Sequence, residues 1–199
     1  VASEVAAHLP RDARRIVVRG TSGSGKTTLA RAIAESRDLR FVELDALFHQ
    51  PRWTPLDEGS FRDAVAAVAR TEGWVVCGNY RAVADLLLDR CDTVVLFDLP
   101  RRTVMSRVVR RTLRRIATRE ELWNGNRERA RNLLSTDPET SVIAWAWTTH
   151  ARRHVETLAF IAAPPRDGLR IVHVASRADE RRVYGQLDAG AREPADRTA

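Results

Sequence analysis

An α/β fold, with a parallel sheet sandwiched between two layers of helices, is what this chain predicts. Three observations predict it. Short β-branched runs alternate with helical stretches from Arg15 to the last strand-like run near Val174. These runs are near-continuously apolar, as strands covered on both faces are. The first run passes directly through a glycine-rich loop into a helix. Strands separated by helices call for parallel pairing and helices on both faces.

The elements follow in order. Residues 15–19 form the first strand, and residues 28–35 a helix on the spacing of Leu29 with Ile33 and Ala30 with Ala34. Residues 41–44 are the second strand, ending at Asp45, and a turn-rich stretch with Pro51 and Pro55 follows. Phe61, Val65 and Val68 share one face of a helix over 61–69. Residues 74–77 make the third strand, ending in Gly78-Asn79-Tyr80, and 82–88 a short helix. Residues 93–97 make the fourth strand, ending at Asp98, before a long basic helix from Arg101 to about residue 117. A polar helix over 120–134, broken at Gly125, and a tryptophan-bearing helix over 139–161 come next. Pro164-Pro165 stops the latter, residues 169–174 are the fifth strand, and a last helix follows Ser176-Arg177. The expectation is one domain over residues 1–186 with a lid at about 115–135, and a flexible tail over 187–199.

The glycine-rich loop is Gly20-Thr21-Ser22-Gly23-Ser24-Gly25-Lys26-Thr27, which satisfies G-x-x-x-x-G-K-[ST] at every fixed position. Strand, loop and helix in that order are the context of a phosphate-binding loop, in which backbone N–H groups and a helix N-terminus hold phosphate oxygens. Gly20, Ser22, Gly23, Ser24 and Gly25 supply that backbone. Lys26 is expected at the β and γ phosphates of ATP, the Thr27 hydroxyl on Mg²⁺ and Thr28 at the α phosphate. Lys26 is also the only lysine in the chain, against 32 arginines. Generic positive charge is arginine throughout, and the exception sits where a compact ammonium rather than a forked guanidinium suits the slot.

Composition narrows the rest. The 199 residues, 44% hydrophobic and 30% charged, read as a soluble globular protein. No apolar run is long enough for a transmembrane helix, and Val1 to Pro10 lacks the pattern of a signal peptide, so a cytoplasmic location is expected. Cys77 and Cys91, without metal-ligand spacing, read as buried reduced thiols. The net charge of +7 comes from one segment: residues 101–131 hold 11 arginines and 3 acids. Such a block suits a polyanion, either nucleotide phosphates or a nucleic acid backbone.

Ligands of parallel sheets sit beyond the carboxyl ends of the strands, which selects the phosphate loop, Asp45, Gly78-Asn79-Tyr80, Asp98 and Ser176-Arg177. Gly78 would let backbone approach an acceptor, and Arg81 could hold an acceptor phosphate or simply be solvated. On the basic helix Arg107, Arg111 and Arg114 or Arg115 share a face, a guanidinium clamp for charge that develops during phosphoryl transfer.

These pieces together resemble the nucleoside monophosphate kinase and shikimate kinase group of phosphate-loop kinases. Within it the chain is most similar to small adenylate-kinase-like proteins, some called DNA topology modulation proteins. The resemblance runs over about residues 14–185 and is carried by Glu43-Leu44-Asp45 with Trp53, by the stretch from Trp74 to Tyr80, and by Val95 to Pro100 leading into Arg107 and Arg110-Arg111. It implies a three-layer α/β/α phosphate-loop fold with a five-stranded parallel sheet and a short helical lid, and transfer of the γ-phosphoryl of Mg-ATP to a small acceptor.

It also implies roles. Asp45 would bind the acceptor hydroxyl and could take its proton, or would serve the metal region, or would simply cap the next segment. Trp53, in the loop with His49 and Arg52, would stack on the acceptor, which Asn79, Tyr80 and Arg81 would also face. Arg107 would pack on adenine, Arg111 and Arg115 would clamp phosphates, and Arg177 would lie beside the loop that cups adenine. Asp98 would stand behind a magnesium-bound water or, equally, cap the basic helix. The lid departs from long or zinc-bearing lids, since no four-cysteine set exists. A nucleic-acid-associated NTPase or DNA topology modulator is the alternative, though no nucleic-acid motif supports it. A kinase-fold toxin cannot be separated from the first reading, and oligomeric state is open.

Overall fold

The computed structural model describes residues 5–6, 8–128, 135, 137–138 and 140–190. Its strands are β1 (Val5–Ala6), β2 (Arg15–Gly20), β3 (Arg40–Glu43), β4 (Trp74–Cys77), β5 (Thr93–Phe97) and β6 (Arg170–Val174). Its α-helices are α1 (Lys26–Ser36), α2 (Leu44–Phe48), α3 (Glu58–Ala69), α4 (Ala84–Leu88), α5 (Arg101–Thr118), α6 (Val142–Ala162) and α7 (Arg177–Gly190).

Successive residues of a strand point to opposite sides of the sheet, so each apolar run serves two cores. Ile16, Val18, Val75, Cys77, Val95, Phe97, Val172 and Val174 pack with Leu29, Ala30, Ile33 and Ala34 of α1 and Val183 and Leu187 of α7. Their alternates, Val17, Trp74, Val76, Val94, Leu96 and Ile171, pack with Phe61, Val65, Val68 and Ala69 of α3, Leu87 of α4 and Phe160 and Ile161 of α6. This double burial is why the runs lack a polar face.

The strands lie in the order β1-β6-β5-β2-β4-β3, every neighbouring pair parallel. All five expected strands are present. Val5–Ala6 adds a sixth at the edge beside β6, too short to show any periodicity in sequence. β2 is central: α1 carries the chain from it to the β3 edge, while β5 lies on its other side. The crevice at the end of β2 is therefore where a ligand is expected on such a sheet.

Two elements differ from the sequence expectation. The strand ends at Glu43, one residue earlier than expected, and Asp45 lies in the first turn of α2. Its position is thus set by a helix start rather than a strand end. The polar helix expected over 120–134 is absent from its described part. Arg119 takes a left-handed conformation (φ 50°) that ends α5. A small hairpin follows: Glu121 bridges Arg127, Leu122 N–H donates to Asn126 O (2.7 Å), and Trp123–Gly125 form a 3₁₀ turn. Asn124 and Gly125, both at positive φ, carry the reversal. Residues 129–134 and 139 of the expected helices, and 191–199 of the expected tail, lie outside the described residues.

Phe61 seats α3 on the sheet at 1% exposure, edge-on to Phe48 and Tyr80 beneath the acceptor-side carboxylate. Phe61→Ala is expected to lower unfolding free energy by about 3–5 kcal/mol. Urea denaturation would show this as an earlier midpoint at an unchanged slope. A loss below about 1 kcal/mol would contradict this packing.

Candidate active site

The phosphate loop leaves β2 and curls back onto α5. Gly25, at φ 102°, stands immediately before Lys26, the first residue of α1, so the helix opens with its N–H groups toward the loop. Gly23, at φ 82°, touches α5 so closely that a Cβ there would lie 2.9 Å from both Val104 O and Val108 Cβ. Glycine is required at that contact for space as well as backbone angle. Arg107 ties the loop from the same side. Its guanidinium donates to Ser24 O (2.8 Å) and forks onto both Glu180 oxygens of α7 (2.9 and 2.6 Å), which favours its charged form further.

On the other side, Asn79 holds the first residue of the loop. Gly20 N–H donates to Asn79 Oδ1 (3.1 Å), and Asn79 Nδ2 donates to Gly20 O (2.6 Å). β4 and β2 are neighbours, so their ends meet, and the Asn79 amide satisfies backbone groups that the sheet no longer pairs. Lys26 is buried, and no carboxylate among the described residues pairs with it. The Ser24 hydroxyl is likewise buried without a partner.

Next to Lys26, the Thr27 hydroxyl donates to Glu43 Oε1 (3.2 Å) and lies 3.6 Å from Cys77 Sγ. Burial pushes the Cys77 thiol up to about 11, so it is a protonated, unreactive wall. Asp45 accepts from the Tyr80 hydroxyl (2.7 Å), whose ring packs on Phe48 and Phe61. Burial first, then Asp45, push the Tyr80 hydroxyl far up, which keeps it a donor to the carboxylate. His49 Nε2 lies 3.4 Å from the same hydroxyl while its Nδ1 is buried without a partner. Burial lowers the His49 pKa, against the pull of Asp45, so the ring is neutral at pH 7.

Arg111 extends from α5 into this group. Burial lowers its pKa from the usual arginine value, the neighbouring Arg115 adds to that, and Glu128, Asp45 and Glu43 oppose it. Its Nε is buried with no partner, and it forms no ion pair among the described residues. Arg115, by contrast, is spent on Glu120 (3.3 Å) and Glu128 (2.9 Å).

The hairpin after α5 closes over the carboxylates. Trp123 Nε1 donates to Glu43 Oε2 (3.1 Å). Asn124 Nδ2 donates to Ala46 O (3.2 Å) and His49 O (2.7 Å). Asn126, at 3% exposure, donates to Gln50 O (2.9 Å) and accepts from Trp53 N–H (2.8 Å). Trp53, His49 and Trp123 form an aromatic cluster over the site, with centroids 5.3–6.2 Å apart.

Several expected roles meet residues engaged elsewhere. Asn79 braces the phosphate loop rather than facing an acceptor. Gly78 makes room for Leu44, whose Cβ would lie 2.8 Å from a side chain there. Arg81 reaches Glu156 of α6 (2.7 Å) at the surface. Arg107 is locked between Ser24 and Glu180, which leaves no guanidinium free to pack on adenine. Asp98 holds two imidazoles, His154 (2.8 Å) and His173 (3.4 Å), so both its oxygens are committed away from a magnesium-bound water. Thr28 is exposed on α1, and Arg177 is exposed at the start of α7, behind a cap that Ser176 and Asp179 form reciprocally.

Glu43, Trp123, Asn124 and Asn126 were not singled out as site residues from sequence. Alternation placed Glu43 beside Asp45, but the choice between two acids near a strand end depends on where the strand stops. The asparagines of Trp123-Asn124-Gly125-Asn126 carry a turn signal, yet their partners are some 75 residues away.

Oxygen donors around Thr27 suit Mg²⁺, which is usually held by one or two carboxylates together with substrate phosphates. Glu43 and Thr27 supply that set, and no cluster of three ligating side chains exists among the described residues. No helix among the described residues is long and apolar enough to cross a membrane.

No protein-family model and no curated protein matches the chain. Among solved structures, a gluconokinase from Sinorhizobium meliloti 1021 is similar at 24% identity, over 92% of this chain and 93% of that one, with a TM-score of 0.45. Shikimate kinase from Bacteroides thetaiotaomicron is 17% identical, over 89% of this chain and 94% of that one, with a TM-score of 0.51. These matches do not show the likeness to DNA topology modulation proteins. The second match does show the fold: the parallel sheet between helical layers is shared with shikimate kinase.

Proposed function

We propose that the chain is an ATP-dependent phosphotransferase that moves the γ-phosphoryl group of Mg-ATP to a hydroxyl of a small molecule. The observation that carries this reading is Arg111, whose Nε is buried without a partner and which faces Glu43 and Asp45 without forming an ion pair among the described residues. A partly desolvated guanidinium with an open donor gains from an arriving anion. Lys26, equally unpaired, offers a second cation at the loop. A phosphoryl group in transit needs cations of this kind around its equatorial oxygens.

The step divides among this chain's residues. The loop N–H groups and Lys26 hold the donor phosphates. Mg²⁺, held by Thr27 and Glu43, would neutralise phosphate charge. Asp45, oriented by Tyr80, takes the acceptor's proton as its oxygen bonds to the γ phosphorus and the bond to the bridging oxygen of ADP breaks. Arg111 stabilises the charge spread over the transferring group. Trp123 and the two asparagines hold the hairpin down and keep water from competing.

A hydroxyl acceptor is favoured over a phosphate. Arg81 is paired with Glu156, and the pocket that Arg19 borders with Leu44, Gly78, Asn79 and Tyr80 has a free volume of only about 10 Å³. In this reading the acceptor meets a carboxylate and aromatic rings, and Arg111, beside Asp45, serves the transferring phosphoryl group. The nucleic-acid alternative is less favoured: Arg107, Arg114, Arg115 and Arg127 of the basic segment are each paired with a glutamate, and the exposed Arg102, Arg110 and Arg119 belong to no nucleic-acid motif.

The test is incubation with Mg-ATP and a panel of sugars, polyols, nucleosides and nucleotides, reading ADP release and phosphorylated product. ADP release without a product from any hydroxyl compound would count against the proposal. Lys26→Arg should lower kcat by about 10²–10³-fold with an unchanged fold by circular dichroism; near-wild-type turnover would remove Lys26 from the mechanism. Asp45→Asn is expected to cut product formation while leaving ATP affinity within about twofold, whereas Glu43→Gln weakens the response to Mg²⁺. Equal loss of both properties in Asp45→Asn would remove its acceptor role. Asn126→Ala unlatches the hairpin, so the ratio of ATP hydrolysis to product should rise. A ratio equal to wild type would mean that closure does not exclude water.

A further inference from the structure

The end of the sheet opposite the phosphate loop carries a second cationic basin. It lies where β2, β5 and β6 begin, has a volume of about 370 Å³, and is lined by Arg14, Arg15, Arg90, Arg166 and Arg170 with Asp12, Glu72 and Asp92. The acids do not neutralise it evenly. Both Asp12 oxygens are on Arg170 (2.6 and 2.8 Å). Asp92 Oδ2 accepts the backbone N–H of Arg14 and of Arg15 (2.9 and 2.7 Å), and its Oδ1 takes the Thr93 hydroxyl (2.8 Å) and Arg170 (3.3 Å).

Arg166 is anchored on the carbonyls of Leu88 and Cys91. Three guanidiniums remain. Arg14, Arg15 and Arg90 form no side-chain hydrogen bond or ion pair among the described residues, and the Arg15 Nε is buried without a partner. The remaining acid, Glu72, is exposed and pairs with none of them.

We propose that this basin is a second anion site, for a small molecule bearing two or more phosphate groups. Free guanidiniums converging on one concavity match phosphate oxygens with forked N–H donors. The volume is that of a small-ligand site, and the charged lining excludes an apolar ligand. Its volume of about 370 Å³ suits a compact anion rather than an extended nucleic acid backbone. It is distinct from the donor site: β2 separates them by about 20 Å, the length of its six residues.

Inorganic pyrophosphate is the probe. Isothermal titration into the full chain, at low salt, is compared between wild type, Lys26→Ala and the double variant Arg14→Gln/Arg90→Gln. Both arginines are exposed and unpaired, so the double variant should melt as wild type does. The basin predicts binding that survives Lys26→Ala and falls by at least about tenfold in the double variant. Binding lost in Lys26→Ala but kept in the double variant places the pyrophosphate on the phosphate loop and overturns the proposal. So does the absence of heat at millimolar pyrophosphate in Lys26→Ala. Tighter binding of a single-stranded oligonucleotide than of pyrophosphate, abolished by the same double variant, would replace the small anion with nucleic acid and also overturns it.

Discussion

The backbone of the phosphate loop must be held rigid while its polar groups stay open, and the rest of the molecule is arranged around that constraint. Asn79 pairs both backbone groups of Gly20, Arg107 takes the carbonyl of Ser24, and α5 packs on Gly23 too closely for any side chain. The braces come from the end of β4 and from the middle of α5, and α7 backs the latter through Glu180. The loop N–H groups gain a fixed geometry before any ligand arrives, so little ordering is left for binding. The same bracing explains why two residues that might have faced ligands, Asn79 and Arg107, are engaged with the protein itself.

The hairpin after α5 links the two halves of the site. Glu43 accepts from Thr27 on the donor side and from Trp123 on the lid side, so one carboxylate senses both. Asn124 and Asn126 fasten the hairpin to the loop that carries His49 and Trp53. Lid and acceptor loop are therefore one hydrogen-bonded body, and movement of either carries the other. The aromatic cluster of His49, Trp53 and Trp123 is the apolar part of that body.

The basic segment shows how charge counted along a chain differs from charge available in space. Its three glutamates are each paired with an arginine of the same segment, and Arg107 is paired with Glu180. Arg111 instead turns inward toward Glu43 and Asp45, which is why it differs in chemistry from neighbours of identical type. The block of arginine reads in sequence as a surface for polyanions; folded, four of its arginines are tied to glutamates.

Local pattern was enough for the sheet, the two helical layers and the phosphate loop. Alternation, helical spacing and the fixed residues from Gly20 to Thr27 act within a few positions, and those elements lie where they were expected. Lys26 was singled out by composition as well as by motif, and it stands buried and unpaired at the start of α1. Tertiary structure alone decided which strand-end residues brace other parts of the protein. Gly78, Asn79, Arg81, Asp98 and Arg107 all fell in legible positions, yet their partners, such as Gly20, Glu156, His154 and Glu180, are more than 50 residues distant. The hairpin over the site was equally hidden, because its asparagines bind carbonyls of another loop. Spacing rules see neighbours along the chain, whereas a polar side chain's role is settled by whichever donor or acceptor the fold brings within 3 Å or so.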